Sequence, residues 1–314
     1  SRLGISTSFV AEIDDLKAWE SAILPTTRVL FAESISNATN RLVDIPALAD
    51  LAHRHHIALV IDNTFATPYL LRPLELGADV VVHSASKFLA GHGSVLGGAI
   101  VDSGRFDAER AAAHYPHLVE PGRGGAPSIA ERVGGDARIA YAREAVAPRF
   151  GPTPSPLNAF LIGQGIETLS LRVERQSANA LAVAQWLDGR PEVAAVDYAG
   201  LPSHRDHALA LRDLHAGFGA VFSFTLRGDA ATARRVVEAL EVFTHMTHLG
   251  DVRSLVLHPA STSHAALTDA ERAAVGVEPG TLRVSIGIED VADLIDDLSQ
   301  ALTVASDVPV AVLA

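Results

Sequence analysis

Cysteine is absent from the 314 residues, methionine occurs once, and only two of the 25 lysine and arginine residues are lysines. The absence of cysteine excludes disulfide bonds, thiolate metal sites and a cysteine nucleophile in this sequence. No apolar run is long enough to cross a bilayer and no charged-then-apolar leader is present, which predicts a cytoplasmic protein without a membrane partner. The net charge of −12 is spread along the chain without basic blocks, which argues against a nucleic-acid partner.

One of the two lysines, Lys87, follows a very apolar segment and ends the run His83-Ser84-Ala85-Ser86-Lys87. Nearly all other positively charged side chains in this chain are arginines. We therefore expect Lys87 to do what a guanidinium cannot, which is to lose a proton and attack a carbonyl. The second lysine, Lys17, stands among acidic residues and is interpreted as a solvated side chain. Lys87 is the candidate nucleophile.

Short apolar runs alternate with an amphipathic helix in the first third of the chain, a pattern typical of parallel strands joined by crossovers. The helix is predicted to begin at Asp44 and to end near His56. The predicted strands are residues 28–33, 57–62, 79–83 and 98–102. Polar clusters follow the first three strands, at residues 33–37, 62–64 and 84–87. Because ligands bind at the carboxyl ends of parallel strands, these clusters are expected to converge on one crevice.

The second half of the chain shows a different pattern. A long helix from Thr168 to Leu187 is predicted to lead into a second domain. Residues 220–226 and 282–287 alternate apolar and polar side chains, which predicts half-buried strands of a smaller sheet. Helices that begin near Asp229 and Asp290 are expected to cover one face of this sheet. The composition, with 48% hydrophobic and 20% charged residues, is typical of an ordinary soluble protein.

Asp62 ends a strand of apolar residues, where a buried carboxylate is destabilising unless a nearby cation compensates its charge. Lys87 follows one strand later along the chain. A structural salt bridge between the two is one interpretation of the pair. The other is that both hold a pyridoxal phosphate ring, with the aldehyde bound to Lys87 and the protonated pyridine nitrogen facing Asp62. His53, His55 and His56 close an amphipathic helix, where polar residues are expected anyway, so no metal site is predicted.

Five ordered motifs resemble the pyridoxal phosphate enzymes of cysteine and methionine metabolism, and the resemblance covers essentially the whole chain. The motifs are Glu33-Ser34-Ile35-Ser36-Asn37, Asp62-Asn63-Thr64-Phe65-Ala66-Thr67-Pro68, His83-Ser84-Ala85-Ser86-Lys87, His258-Pro259-Ala260-Ser261 and Leu282-Arg283-Val284-Ser285-Ile286-Gly287-Ile288-Glu289. The resemblance implies a type I pyridoxal phosphate-dependent transferase fold, like that of aspartate aminotransferase. It implies a large cofactor-binding domain with a mostly parallel sheet in residues 1–170 and a smaller α/β domain in residues 171–314.

The resemblance also implies roles for the cofactor-binding residues. Lys87 is expected to form an imine with the cofactor aldehyde, and Asp62 to pair with the pyridine nitrogen. Asn37 is expected to reach the phenolic oxygen of the cofactor, and Ser84 and Ser86 to contact its phosphate.

Three further residues complete the implied site. Thr64 is expected to line the cofactor, and Arg283 to clamp the substrate carboxylate together with Asn37. His248 occupies a position near that carboxylate where the family more often has serine or asparagine, so it is expected to contact the substrate. A glycine-containing phosphate loop and a tyrosine that stacks on the ring belong upstream of Ser1 in this family. We therefore expect that residues precede the sequence and that the large domain is N-terminally incomplete.

Within the family, Gly250-Asp251-Val252-Arg253-Ser254-Leu255 is most like O-acetylhomoserine sulfhydrylases. The resemblance implies displacement of acetate from O-acetylhomoserine by sulfide or a thiol, in a homo-oligomer that is expected to be a tetramer. Cystathionine γ-synthase, cystathionine γ-lyase and methionine γ-lyase activities are the alternatives within the family. A noncatalytic fragment that only assembles with partner subunits is the alternative of another class.

Overall fold

The structure, a computed structural model, describes residues 3–37 and 39–306. In this part of the chain the strands are β1 (Val29–Glu33), β2 (Ala58–Asp62), β3 (Val80–Ser84), β4 (Gly98–Asp102), β5 (Val193–Asp197), β6 (Val221–Leu226), β7 (Thr244–His245), β8 (Leu255–Leu257) and β9 (Thr281–Ser285). The helices are α1 (Leu16–Ser21), α2 (Ile45–Arg54), α3 (Thr67–Leu70), α4 (Pro116–Val119), α5 (Ile129–Val133), α6 (Ala137–Tyr141), α7 (Ala147–Phe150), α8 (Pro156–Glu167), α9 (Leu169–Asp188), α10 (His207–Asp213), α11 (Ala230–Ala239), α12 (Asp269–Ala274) and α13 (Val291–Ser306). Short 3₁₀ or π turns lie at Arg123–Gly125, Gly134–Asp136, Ala142–Val146 and Pro259–Ser261.

The first sheet has the order β1-β2-β3-β4, and its first three strands are parallel. The register pairs Glu33 with Asp62 and Asp62 with Val82. The carboxyl ends of the three parallel strands therefore lie at one edge of the sheet, as the sequence predicted.

The direction of β4 corrects the sequence prediction of parallel strands. This strand pairs with β3 in antiparallel orientation, from Val80 opposite Asp102 to Ser84 opposite Gly98. The connection through residues 85–97 contains turns and no helix. A parallel return needs a crossover, usually a helix, whereas an antiparallel return does not. The sheet is thus mostly parallel, with one antiparallel edge strand.

The second sheet has the order β5-β6-β9-β8-β7 and is antiparallel except for the pair β7 and β8. The prediction of half-buried strands was wrong for β6 and β9, because every residue of both strands is buried. Several polar side chains of these strands make hydrogen bonds within the protein instead of facing water. Arg283, for example, donates to Asn37.

Helix starts follow the capping residues that the sequence contains. Asp44 accepts a hydrogen bond from the backbone N–H of Ala47, and Pro46 lies in the first turn of α2. Ser155 and Asp229 cap α8 and α11 in the same way. These side chains satisfy N–H groups that have no partner within a helix. The predicted long helix is observed as α9.

One apolar cluster of buried side chains runs through both sheets, from Leu48 and Leu59 to Phe222 and Val284. Asn40 crosses between the two halves, because its side-chain N–H donates to the carbonyl of Val221 at 2.7 Å. The two sheets are therefore held in a fixed relation by packing and by hydrogen bonds. Among the described residues, no helix is both long enough and apolar enough to span a membrane.

Candidate active site

Two of the predicted polar clusters meet directly at the carboxyl edge of the first sheet. Asp62 accepts a hydrogen bond from the backbone N–H of Thr64 at 2.9 Å. The Thr64 hydroxyl in turn accepts from the backbone N–H of Ser84 at 2.9 Å. This chain of contacts fixes the turn after β2 against the end of β3, so the Asp62 carboxylate is held close to the segment that carries Lys87.

Lys87 lies in the turn that follows β3, and its side chain is half-buried. Its Nζ lies 3.1 Å from Nδ1 of His248. Burial lowers the pKa of the Lys87 amine, and the nearby guanidinium of Arg283 lowers it further. Within the described residues no ion pair joins Lys87 to Asp62. The salt-bridge interpretation of this pair is therefore not supported, and the amine is of the kind that a nucleophile needs.

Arg283 is a buried cation, with 4% of its surface exposed. Its Nη1 donates to Oδ1 of Asn37 at 3.2 Å, and its Nη2 donates to the carbonyls of Thr247 and His248 at 3.2 and 3.1 Å. Its Nε has no partner, and no carboxylate pairs with it among the described residues. Burial lowers its pKa to about 10. A buried guanidinium without a counter-ion is suited to bind a carboxylate.

His248 stands between these two cations. Burial lowers its pKa, and the charge of Lys87 lowers it further, while the carboxylate of Asp251 acts in the opposite direction. Its Nε2 is buried and has no hydrogen-bond partner. The structure thus places the predicted residues Lys87, His248 and Arg283 in one cluster, although they are far apart in the sequence.

The two predicted phosphate ligands differ in their surroundings. The hydroxyl of Ser86 donates to the carbonyl of Gly97 at 3.3 Å and accepts from its N–H at 3.0 Å. Ser84 is half-buried, its backbone N–H donates to the Thr64 hydroxyl, and its carbonyl accepts from the backbone N–H of Lys87. The structure therefore shows Ser86 tying the Lys87 turn to the segment before β4. Contact of either hydroxyl with a phosphate stays a prediction.

Sequence reasoning missed Arg172, whose side chain contacts the backbone of the turn that carries Lys87. This buried side chain on α9 donates to the carbonyls of Phe88 at 2.9 Å and of Gly165 at 2.6 Å. Gly91 makes room for it, because a Cβ at this position would lie 2.3 Å from Nη1 of Arg172. Gly91 also has a φ of +77°, which other residues rarely adopt. No local pattern could have linked Arg172 to a turn more than eighty residues away.

His83 is a second residue to which the sequence analysis gave no role. It is buried beside Asp62, and its Nδ1 has no partner. Burial lowers the pKa of His83, while the charge of Asp62 raises it. Its place in the run that ends at Lys87 was the signal that could have identified it.

The donors and acceptors at this edge fit pyridoxal phosphate and an amino acid. The cofactor needs an amine that can lose its proton and a carboxylate for the pyridine nitrogen, and Lys87 and Asp62 supply these groups. The unpaired Nε of Arg283 and Nε2 of His248 are buried donors without acceptors. The fold and this set of groups define a pyridoxal phosphate-dependent enzyme of the type I transferase fold.

Comparison with known proteins gives the family. Residues 1–303 match the family described as Cys/Met metabolism PLP-dependent enzyme, and the chain belongs to this family. It is 41% identical to the homocysteine synthase of Schizosaccharomyces pombe over 97% of this chain and 71% of that protein. It is 40% identical to an O-acetyl-L-homoserine sulfhydrylase of Corynebacterium glutamicum over 95% of this chain and 69% of that protein.

A solved structure shows the same fold. The crystal structure of an O-acetylhomoserine (thiol)-lyase from Campylobacter jejuni superposes with a TM-score of 0.84 at 35% identity, covering 93% of this chain and 69% of that chain. It contains a lysine joined to the cofactor, described as N'-pyridoxyl-lysine-5'-monophosphate. The prediction of the type I fold and of pyridoxal phosphate as the cofactor is confirmed.

Proposed function

We propose that the protein replaces the acetate group of O-acetylhomoserine with sulfide or methanethiol, giving homocysteine or methionine. The observation that carries this proposal is the buried guanidinium of Arg283, which lacks a counter-ion and has an unpaired Nε beside an amine of lowered pKa. An amino acid brings a carboxylate for the first group and an amine for the cofactor. The names of the similar proteins favour γ-replacement with sulfide over elimination.

The residues of this chain have distinct proposed tasks. Arg283 and Asn37 bind the substrate carboxylate and so fix the orientation of the amino acid. Lys87 attaches the cofactor, and its freed amine moves protons at Cα and Cβ of the substrate. Pyridoxal phosphate, when bound, supplies the electron sink that makes these protons acidic. The lowered pKa of Lys87 leaves a larger fraction of the amine neutral at pH 7 than an exposed lysine would have.

The other predicted residues would hold the cofactor. Asp62 would pair with the pyridine nitrogen and would keep it protonated, and Thr64 fixes the turn on which Asp62 lies. Ser84 and Ser86 are proposed as phosphate ligands, of which Ser84 has the hydroxyl that is less engaged.

The proposal is tested with purified full-length protein, pyridoxal phosphate, sulfide and either O-acetylhomoserine or O-succinylhomoserine. We expect homocysteine and one equivalent of acetate, with a higher kcat/KM for the acetyl ester. The Lys87→Ala variant is expected to lose activity by several orders of magnitude. Formation of 2-oxobutyrate and ammonia in place of homocysteine would instead identify a γ-lyase. Lack of any product in a protein that binds the cofactor would favour a noncatalytic subunit.

The resemblance also suggests a cytoplasmic homotetramer. Exposed apolar side chains on α8 support self-association, since Leu157 and Phe160 are 64% and 62% exposed. Sedimentation velocity is expected to give a tetramer, and a monomer at micromolar concentration would contradict this part of the proposal.

A further inference from the structure

We propose that His248 is the proton acceptor of Lys87 and that the carboxylate of the bound amino acid controls it. In this arrangement Nδ1 of His248 takes the proton of the Lys87 ammonium, while Nε2–H donates to the substrate carboxylate. The second half of this statement rests on the proposed function, because it requires an amino acid held at Arg283.

The contact between Lys87 and His248 assigns a role to each nitrogen of the imidazole ring. Nζ of Lys87 lies 3.1 Å from Nδ1 of His248. When Lys87 carries its proton it has donors only, so Nδ1 is then the acceptor in this hydrogen bond. In that state the proton of the neutral ring lies on Nε2.

This tautomer leaves a buried N–H without an acceptor. Nε2 of His248 is buried and has no partner, and the same is true of Nε of Arg283. A buried donor without an acceptor is costly, and such groups in native proteins usually serve a ligand. The two residues are in direct contact, because Nη2 of Arg283 donates to the His248 carbonyl at 3.1 Å. Two unpaired donors held in this way are suited to the two oxygens of one carboxylate.

The charges around the ring decide when the proton moves. Three cations face it: Lys87 from the turn after β3, Arg283 from β9, and Arg253 from the loop that carries His248. Among the described residues, the carboxylate that acts on the ring is Asp251 from the same loop, and Arg253 pairs with it at 2.9 Å. In these surroundings the imidazole is neutral at pH 7, and it is a weak base.

A carboxylate that accepts a hydrogen bond from Nε2 changes this balance. It stabilises the imidazolium, so Nδ1 becomes a stronger base when substrate is present. The proton then passes from Nζ of Lys87 to Nδ1 of His248, leaving a neutral amine and a charged ring. Only N–H bonds change in this step, no electrons are transferred, and the reverse step returns the proton. Serine or asparagine at this position could supply a hydrogen bond but could not store the proton.

The first test measures the shared proton without the reaction. The full-length protein is freed of cofactor and its lysines are labelled by reductive methylation with ¹³C-formaldehyde. The signal of Lys87 is then followed by NMR from pH 4 to pH 11. The exposed Lys17 is the internal control, and its curve is expected to be the same in every variant. In the unaltered protein Lys87 is expected to titrate in two steps separated by more than about one pH unit, as coupled groups do.

Two variants separate the two ring nitrogens. In His248→Asn an amide oxygen can still accept from Lys87, and in His248→Gln an amide nitrogen can replace the donor at Nε2. Neither amide can take up the proton, so Lys87 is expected to titrate in one step in both variants. Butyrate, a carboxylate without an amine, is expected to move the lower step to higher pH only when His248 is present. A single Lys87 step in the unaltered protein, the same in both variants, would overturn the inference.

The second test uses the loaded enzyme. In His248→Gln we expect kcat to fall by about 10- to 100-fold with KM within about twofold of its original value. The rising limb of the kcat profile is expected to move to higher pH, because the Lys87 amine is free only when substrate is bound and must then lose its proton to solvent. An unchanged profile would overturn the inference. A two-step titration in a protein without sulfhydrylase activity would support the shared proton and contradict the proposed function, so the two failures are distinguishable.

Discussion

Replacement of Arg172 by methionine tests whether this residue holds the turn that carries Lys87 in place. Arg172 is 5% exposed and donates to the carbonyls of Phe88 and Gly165 at 2.9 and 2.6 Å. Methionine fills similar volume but donates no hydrogen bond, so the carbonyls of Phe88 and Leu89 lose their side-chain donor, while Gly165 keeps those from Thr168. Each buried acceptor left in this way costs about 1 to 3 kcal/mol. Relief of the buried charge offsets part of this, and we expect Arg172→Met to lower the free energy of unfolding by about 2 to 4 kcal/mol.

A matched control lies on the same helix. Arg175 is exposed and makes one hydrogen bond to the carbonyl of Glu289 at 3.1 Å. Arg175→Met is expected to cost less than about 1 kcal/mol, because water replaces the lost hydrogen bond. Arg172→Lys keeps the charge but has a single nitrogen, so an intermediate loss of about 1 to 2 kcal/mol is expected.

The assay combines urea unfolding with chemical labelling of Lys87. Each variant is incubated with pyridoxal phosphate and reduced with borohydride, and the labelled fraction of the Lys87 peptide is measured by mass spectrometry. Arg172→Met is expected to label more slowly under conditions in which it remains folded, since Phe88 directly follows Lys87. If Arg172→Met lowers the free energy of unfolding by less than about 0.5 kcal/mol and its Lys87 is labelled at the original rate, the assigned role of Arg172 is refuted.

Three further predictions concern the pH dependence of stability, the contact between the two halves of the chain, and substrate binding. Burial raises the pKa of Asp197 to about 6. The native state therefore keeps this proton to higher pH than the unfolded chain does, and the free energy of unfolding falls as the pH rises from about 4 to about 6. Asp197→Asn should reduce this pH dependence. Urea unfolding at each pH should show the free energy of unfolding raised by about 1 to 2 kcal/mol at pH 8 and unchanged at pH 3.5. Asn40→Ala leaves the N–H of Ala199 and the carbonyl of Val221 unpaired and should cost about 2 to 4 kcal/mol, whereas an unchanged thermal midpoint would contradict this. Arg283→Lys should lower kcat/KM for O-acetylhomoserine by about 10- to 100-fold, mainly through KM, and an unchanged KM would argue against carboxylate binding there.

The sequence predicted the parts of this fold that depend on neighbouring residues. Asp44, Ser155 and Asp229 cap the helices that follow them, because a capping side chain needs only the N–H groups two or three residues ahead. The first three strands and their order follow from apolar runs and from the helix between the first two. Family motifs also predicted most of the candidate site residues, since the motifs contain them in a fixed order.

The direction of strand β4 and the burial of strand β9 could be determined only from the tertiary structure. The antiparallel course of β4 depends on how residues 85–97 turn back, and alternation of side chains in β9 does not reveal that both faces are covered. Alternation reports that one face of a strand is apolar, but it cannot show what packs on the other.

The chemical residues divide in the same way. Lys87 could be predicted as the candidate nucleophile from sequence alone, because the scarcity of lysine and the motif around Lys87 are properties of the chain. Its contacts could not, since His248 lies 161 positions further on and Arg172 lies on a helix between them. Amino-acid order alone determines which groups are available and where helices begin. Long-range packing decides which groups lose water and come together, and desolvation and proximity are what set the basicity of Lys87 and leave Arg283 free for a carboxylate.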